Sequence, residues 1–176
     1  MFKKYLVVAI VVSGVLLGLE PNAQSLLVDI EEGDKKNATQ ELKVEFPKQA
    51  PQKKDLFAFT PSANSKTLEF FIDQKNITVA GDVVRYVVVI KSPEGSEQTL
   101  FVGIDCKRFL KYTYARFENA AWQEARDNEW RLIGNLGYNN YPAYLAKKAL
   151  CSGDSANSSI PEILRRLRET DLDNFF

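Results

Sequence analysis

Hydrophobic positions change their period along this chain, and each change marks a boundary. From Leu56 the period is two. L-F-A-F (Leu56 to Phe59), L-E-F-F-I (Leu68 to Ile72) and I-T-V (Ile77 to Val79) read as short strands. V-V-R-Y-V-V-V-I-K (Val83 to Lys91) reads as a long one, and S-P-E-G (Ser92 to Gly95) supplies turn chemistry between it and the next run. In that next run Leu100, Val102, Ile104 and Cys106 share one face, and Thr99, Phe101, Gly103 and Asp105 the other. Val84, Tyr86, Val88 and Ile90 are the matching inward set, with Arg85 on the opposite side. R-F-L-K-Y-T-Y-A-R-F predicts a third long strand from Arg108 to Phe117, with Leu110, Tyr112 and Tyr114 on one face and Arg108 and Arg116 at its ends. Glu118–Asn119 reads as a turn. Trp122 and the run Glu129 to Ile133 read as another short strand, and the intervening Q-E-A-R-D-N reads equally as a helical turn.

Beyond Pro142 the period becomes helical. Pro142 to Cys151 suits one helix, with Tyr141, Tyr144, Leu145 and Cys151 within one arc and Pro142 in its first turn. A polar loop follows. Ser159-Ile-Pro-Glu162 is a capping box that opens a second helix with Ile160, Ile163, Leu164 and Leu167 as its apolar face. Strands first and helices last predict an α+β fold: a twisted antiparallel sheet of about five or six strands, then two helices.

The N-terminal region has a different character. Lys3 and Lys4 precede a mainly apolar run from Tyr5 to Leu19, followed by a short polar stretch, which is the layout of an export signal. The run is shorter than the roughly 20 residues that span a bilayer, so cleavage is expected, with Ala23 and Ser25 as the small residues and Leu26 as the new start. Residues 26–55 are polar and lysine-rich with two prolines, and are expected to form a flexible arm. A single domain is then expected over 56–170 and a polar tail over 171–176. A periplasmic or secreted location and no permanent membrane span follow from this reading.

Composition removes several chemistries. The chain has no histidine, so Ser-His-Asp and Cys-His catalysis and the commonest zinc ligand are absent. Neither a phosphate-cradling G-x-x-x-x-G-K-[ST] nor a G-x-G-x-x-G occurs among its nine glycines. Charges balance at 23 cationic and 23 anionic residues, which offers no footprint for nucleic acid. No metal and no cofactor are expected. N-x-[ST] tripeptides stand at Asn37, Asn76 and Asn157 and would carry glycans only in a eukaryotic secretory pathway. A carboxylate-only enzyme would turn first to Asp73 and Asp105.

The sequence contains two cysteines, Cys106 and Cys151, 45 residues apart. Cys106 lies beside an aspartate and two cations, and nucleophile, metal ligand, disulfide half and buried apolar residue are its four readings. Export, the inward face and a single available partner favour a Cys106–Cys151 disulfide that ties the first helix to the sheet. The nucleophile reading lacks a base, since Lys107 and Arg108 are its sole cationic neighbours in sequence.

V-V-R-Y-V-V-V-I-K-S-P-E-G-S, F-V-G-I-D-C-K and Y-T-Y-A-R-F, with Trp122, W-R-L-I at Trp130 and a late cysteine, resemble the CNP1-like family of exported proteobacterial proteins over about Phe46 to Leu167. That resemblance implies a Gram-negative envelope location and brings no agreed activity or active site. The order strand-cysteine, Trp-x-x-Ile, helix-cysteine is also similar to surface-adhesin protein E type domains, which bind host matrix proteins; this chain lacks the lipoprotein cysteine of an anchored adhesin. The expected function is a non-catalytic envelope module that binds a protein or glycan. Arg108, Tyr112, Tyr114 and Arg116 form its candidate binding face, because Tyr and Arg suit interface anchors. The alternatives are an adhesin-like surface protein and an envelope enzyme.

Overall fold

The structure is a computed structural model in which residues 44–61, 67–126, 129–134, 140–157 and 159–172 are described. The expected signal, its cleavage between Ser25 and Leu26, Asn37 and most of the tail lie outside these residues. The α+β class, the sheet-before-helices order and the disulfide expected from the sequence are all present.

The centre of the sheet is the hairpin of β4 (Val83–Lys91) and β5 (Glu97–Asp105), paired antiparallel from Val83↔Asp105 to Lys91↔Glu97. Gly95, at φ 87°, closes the turn between them in a conformation glycine adopts without strain. Each long strand is flanked on its far side by shorter ones. β2 (Glu69–Asp73) and β3 (Thr78–Ala80) pair with successive parts of β4, and β1 (Leu56–Phe59) lies outside β2. β6 (Leu110–Glu118) follows β5, with β7 (Ala121–Glu124) on its second half and β8 (Arg131–Leu132) on its first. The result is an eight-stranded sheet. β6 and β7 join through Asn119 and Ala120, at φ 52° and 62°, the pair of left-handed residues that a two-residue hairpin of right-handed twist requires.

One face of the sheet is covered by the C-terminal elements. Val84, Tyr86, Val88 and Ile90 of β4 and Leu100, Val102 and Ile104 of β5 join Phe70 and Ile72 of β2 against Leu145, Leu150, Ile163 and Leu167. Most are fully buried. Each such side chain stabilises the fold by roughly 1.5–3 kcal/mol. α1 (Tyr141–Leu145) carries Pro142 in its first turn, where a missing N–H costs no helical bond. The helix expected to run to Cys151 stops earlier: Ala146–Leu150 form a wider π turn, and Cys151 is extended in β9 (Cys151–Ser152), paired with β10 (Ser155–Ala156). That extended backbone places the Cys151 Cα 5.6 Å from the Cys106 Cα and links the end of β5 to the helical layer.

In α2 (Ile160–Leu172) the Ser159 hydroxyl accepts the Glu162 N–H at 3.3 Å, as the capping box predicts. Ile163 and Leu167 are buried and Leu164 is partly buried. Ile160 is a correction: it stays 37% exposed, because it belongs to the opening turn, ahead of the residues that meet the sheet.

The lead-in is a second correction. Residues 44–55 belong to the folded part, since Val44 and Phe46 pack on the opposite face of the sheet and Asp55 pairs with Lys75 at 3.2 Å. A stretch that is polar on average still docks through two apolar residues when an aromatic surface is waiting for cover.

Two outcomes test this architecture. Denatured, unreduced protein should show no titratable thiol, and Cys106→Ser should lower stability by about 4 kcal/mol in urea unfolding, the chain-entropy value for a loop of 45 residues; two titrating thiols would refute the link. Hydrogen bonds from Arg165 and Arg166 hold the Glu162 carboxyl down at about 2. A depressed folded-state value means stability present above about pH 4.3 and lost as pH falls toward 2. Glu162→Gln should flatten that part of the stability–pH curve, and an unchanged slope would contradict the assignment.

Candidate functional site

The second face of the sheet is built differently. Its buried residues are Val87, Phe101, Tyr114 and Ala115, with Val44, Phe46, Tyr112 and Trp122 packed around them. No residue of α1 or α2 belongs to this cluster.

Its shape comes from one irregularity. Phe101 pairs with Ala115 but Val102 pairs with Thr113, so Tyr114 is an extra residue bulged out of β6. A bulge turns its side chain out of the normal alternation. The hydroxyl end of the Tyr114 ring lies over Gly103, where an added Cβ would come within 2.7 Å of Cε2 and 2.9 Å of the hydroxyl. Glycine inside a strand therefore marks a close approach here. The ring is held at both ends: its hydroxyl accepts Arg85 Nε at 3.2 Å, the Arg85 guanidinium sits 5.7 Å from its centroid, and Phe101 and Tyr112 flank it at 5.2 and 4.7 Å.

From this ring the aromatic contacts continue in both directions. Tyr112 meets Trp130 at 5.3 Å. Phe101 meets Phe46 at 6.4 Å and Trp122 at 6.3 Å, and Trp122 meets Phe117 at 5.3 Å. Tyr112, Phe117, Trp122 and Trp130 remain partly exposed. Leu132 pairs with Leu110, which pairs with Asp105 on this same face, and Leu132 is 75% exposed. A large aliphatic side chain so open at the end of an aromatic ladder extends an apolar surface.

The four residues expected to share a binding face are divided by the bulge. Tyr112 and Tyr114 lie together on the aromatic face. Arg108 joins them, 5.8 Å over the Trp130 ring, but not from a strand end: it stands in the turn after β5, because Asp105 accepts its N–H at 2.9 Å and its Nε at 2.7 Å. The third strand accordingly starts at Leu110, and Phe109 takes φ 55° to enter it. Arg116 is a correction. It pairs with Leu100, whose side chain is in the helix-side core, so Arg116 lies on the opposite face from the tyrosines.

The remaining candidates are engaged locally. Asp73 is buried, accepts Lys75 N–H at 2.9 Å and the Asn76 amide at 2.7 Å, and lines a polar groove of 550 Å³ with Asp55, Lys48 and Lys54. Asn157 is buried, its amide donating to the Ala149 carbonyl, so it offers no glycan acceptor in the folded chain. Cys106 and Cys151 are both in the disulfide, which removes the nucleophile reading. Among the described residues, no group of three or more Cys, Asp or Glu is arranged to hold a metal ion, and no helix is long and apolar enough to cross a membrane.

Residues 34–168, most of the chain, match the CNP1-like family. The chain belongs to that family. No curated protein and no solved structure matches it. In this CNP1-like chain the strand segments V-V-R-Y, F-V-G-I-D-C and Y-T-Y-A-R-F are thus the central three strands of the sheet, and they carry the aromatic face, its bulge and one half of the disulfide.

Sequence alternation missed Gly103, Trp122 and Trp130 as parts of the face. Gly103 was the available signal, a glycine amid Phe101, Val102 and Ile104 with no turn nearby. If the Tyr114 ring is what Gly103 makes room for, Gly103→Ala should cost about 1–3 kcal/mol in urea unfolding by overpacking, and much less in a Tyr114→Ala background. Equal costs in both backgrounds would assign the glycine to another cause.

Proposed function

We propose that this chain is an exported, non-catalytic envelope protein whose aromatic sheet face binds a protein or glycan partner. One observation carries the reading: a continuous ladder of aromatic rings, with Arg85 over Tyr114 in its middle and Arg108 over Trp130 at one end, on the sheet face that the helices leave uncovered and that exposed Leu132 shares. Aromatic and arginine side chains supply large contact area and cation–π energy at small conformational cost, which suits an anchor for a partner. Export rests on the signal-like N-terminus, whose Lys3-Lys4 and apolar run have the composition of a cleaved leader. An oxidising compartment such as the periplasm also suits the disulfide. A non-catalytic role fits the absence of histidine and the local engagement of Asp73 and Asp105, each bonded within its own turn.

A photo-crosslinking amino acid at Leu132 tests the reading in intact envelopes. A discrete adduct is expected from position 132, lost in Tyr112→Ala, and absent from the same probe at Arg165 on the exposed side of α2. Equal adducts from both positions, or none from 132, would refute a partner on this face.

A further inference from the structure

Between the lead-in and the turn that joins β2 to β3 lies the polar groove of 550 Å³, with Lys48, Gln49, Gln52, Lys54, Asp73 and Asn76 in its lining. That volume is in the range of small-molecule sites. Its two walls are fastened to each other through Asp55, whose carboxylate is 3.2 Å from the Lys75 ammonium and whose carbonyl accepts the Gln74 N–H at 3.0 Å.

Each wall is also held within itself. The lead-in turns tightly over Lys53–Asp55, where the Asp55 N–H donates to the Gln52 carbonyl at 2.8 Å, and Pro47 and Pro51 restrict φ on either side of Lys48, Gln49 and Ala50. On the other wall Asp73 is 1% exposed and accepts the Lys75 N–H at 2.9 Å and the Asn76 amide at 2.7 Å. A groove braced in this way loses little freedom when a ligand enters.

Two chemistries meet in the lining. A carboxylate offers about four acceptor sites, so Asp73 has capacity for ligand hydroxyls beside its two bonds within the turn. The side-chain amides of Gln49, Gln52 and Asn76 both donate and accept, which also suits hydroxyls. Lys48 and Lys54, both exposed, supply ammonium donors from the lead-in, and these bond most strongly to an anion. A bare anion would meet the buried Asp73 carboxylate, and a neutral polyol would leave the lysines unused. A molecule with hydroxyls at one end and an anionic group at the other engages both.

We infer that this groove binds an acidic sugar, a small polyhydroxylated molecule carrying a carboxylate or phosphate, with Asp73 and the amides on its hydroxyls and Lys48 and Lys54 on its anionic group. The site is distinct from the aromatic ladder, since β4 and β5 separate β2 from β6 in the sheet.

The experiment follows thermal unfolding of the full chain with glucuronate, glucose 6-phosphate, glucose and acetate at constant ionic strength. Glucuronate or glucose 6-phosphate should raise Tm with concentration, by mass action on the folded state, and glucose and acetate should act at least tenfold more weakly. Lys48→Gln and Lys54→Gln, at exposed positions outside the core, should each weaken the response by about tenfold, the loss of one charge-assisted hydrogen bond, while Lys107→Gln keeps it. The effective sugar should also slow amine labelling of Lys48 and Lys54, read by peptide mapping, with Lys107 unaffected. A response to one acidic sugar alone identifies the anionic group and supports the site. No shift with either, an equal shift from acetate or glucose, or equal shifts in wild type, Lys48→Gln and Lys54→Gln would overturn it, and none of these outcomes bears on the crosslink from Leu132.

Discussion

Pairing of β4 with β5 is the constraint on which the other parts depend. The two strands meet in register from Val83↔Asp105 to Lys91↔Glu97, and a slip of one residue would move Val84, Tyr86, Val88 and Ile90 away from the helices. Because the side-chain period is two, this register fixes at once what Leu145, Leu150, Ile163 and Leu167 pack upon and what Phe46 covers from behind. The disulfide is a consequence of the same register. Cys106 follows β5 directly, its N–H bonded to the Asp82 carbonyl at 2.9 Å, so its inward direction continues that of Ile104. Cys151 reaches it because the chain leaves its helical turn extended.

The β6 bulge then makes the edge of the sheet two-sided. One added residue, Tyr114, keeps both tyrosines on the aromatic side while Arg116 falls to the helix side with Lys111 and Thr113. An unbroken strand would have kept Tyr112, Tyr114 and Arg116 on a single face, with the guanidinium among the aromatic rings. Gly103 is the other half of the device, since the ring needs space above β5 that any larger side chain would fill.

Buried polar groups among the described residues fall into two sets. Asp73, Asp105 and Asn157 are buried and each is bonded to its own neighbourhood, which makes them parts of turns. The Tyr86 and Tyr141 hydroxyls, Trp122 Nε1 and Asn140 Oδ1 are buried without such partners. Contrast between the two groups separates residues that shape loops from residues whose bonding capacity remains to be met.

Much of this was present in the sequence as period. Alternation alone determined the β4 and β5 faces, the inward direction of Cys106 and the α+β order, because each depends on neighbours along one strand or helix. The Ser159 cap of α2 was legible for the same reason, being a local hydrogen bond. What the tertiary structure decided were relations that no local period contains. Alternation carried through Tyr114 put Arg116 on the wrong face, since a bulge is set by the partner strand. The extended Cys151 is held by its bond to Cys106 and by pairing with Ala156, both distant from the helical pattern before it. Val44 and Phe46 looked solvated because average polarity hides two apolar residues, and only the aromatic surface of another part of the chain gives them somewhere to bury.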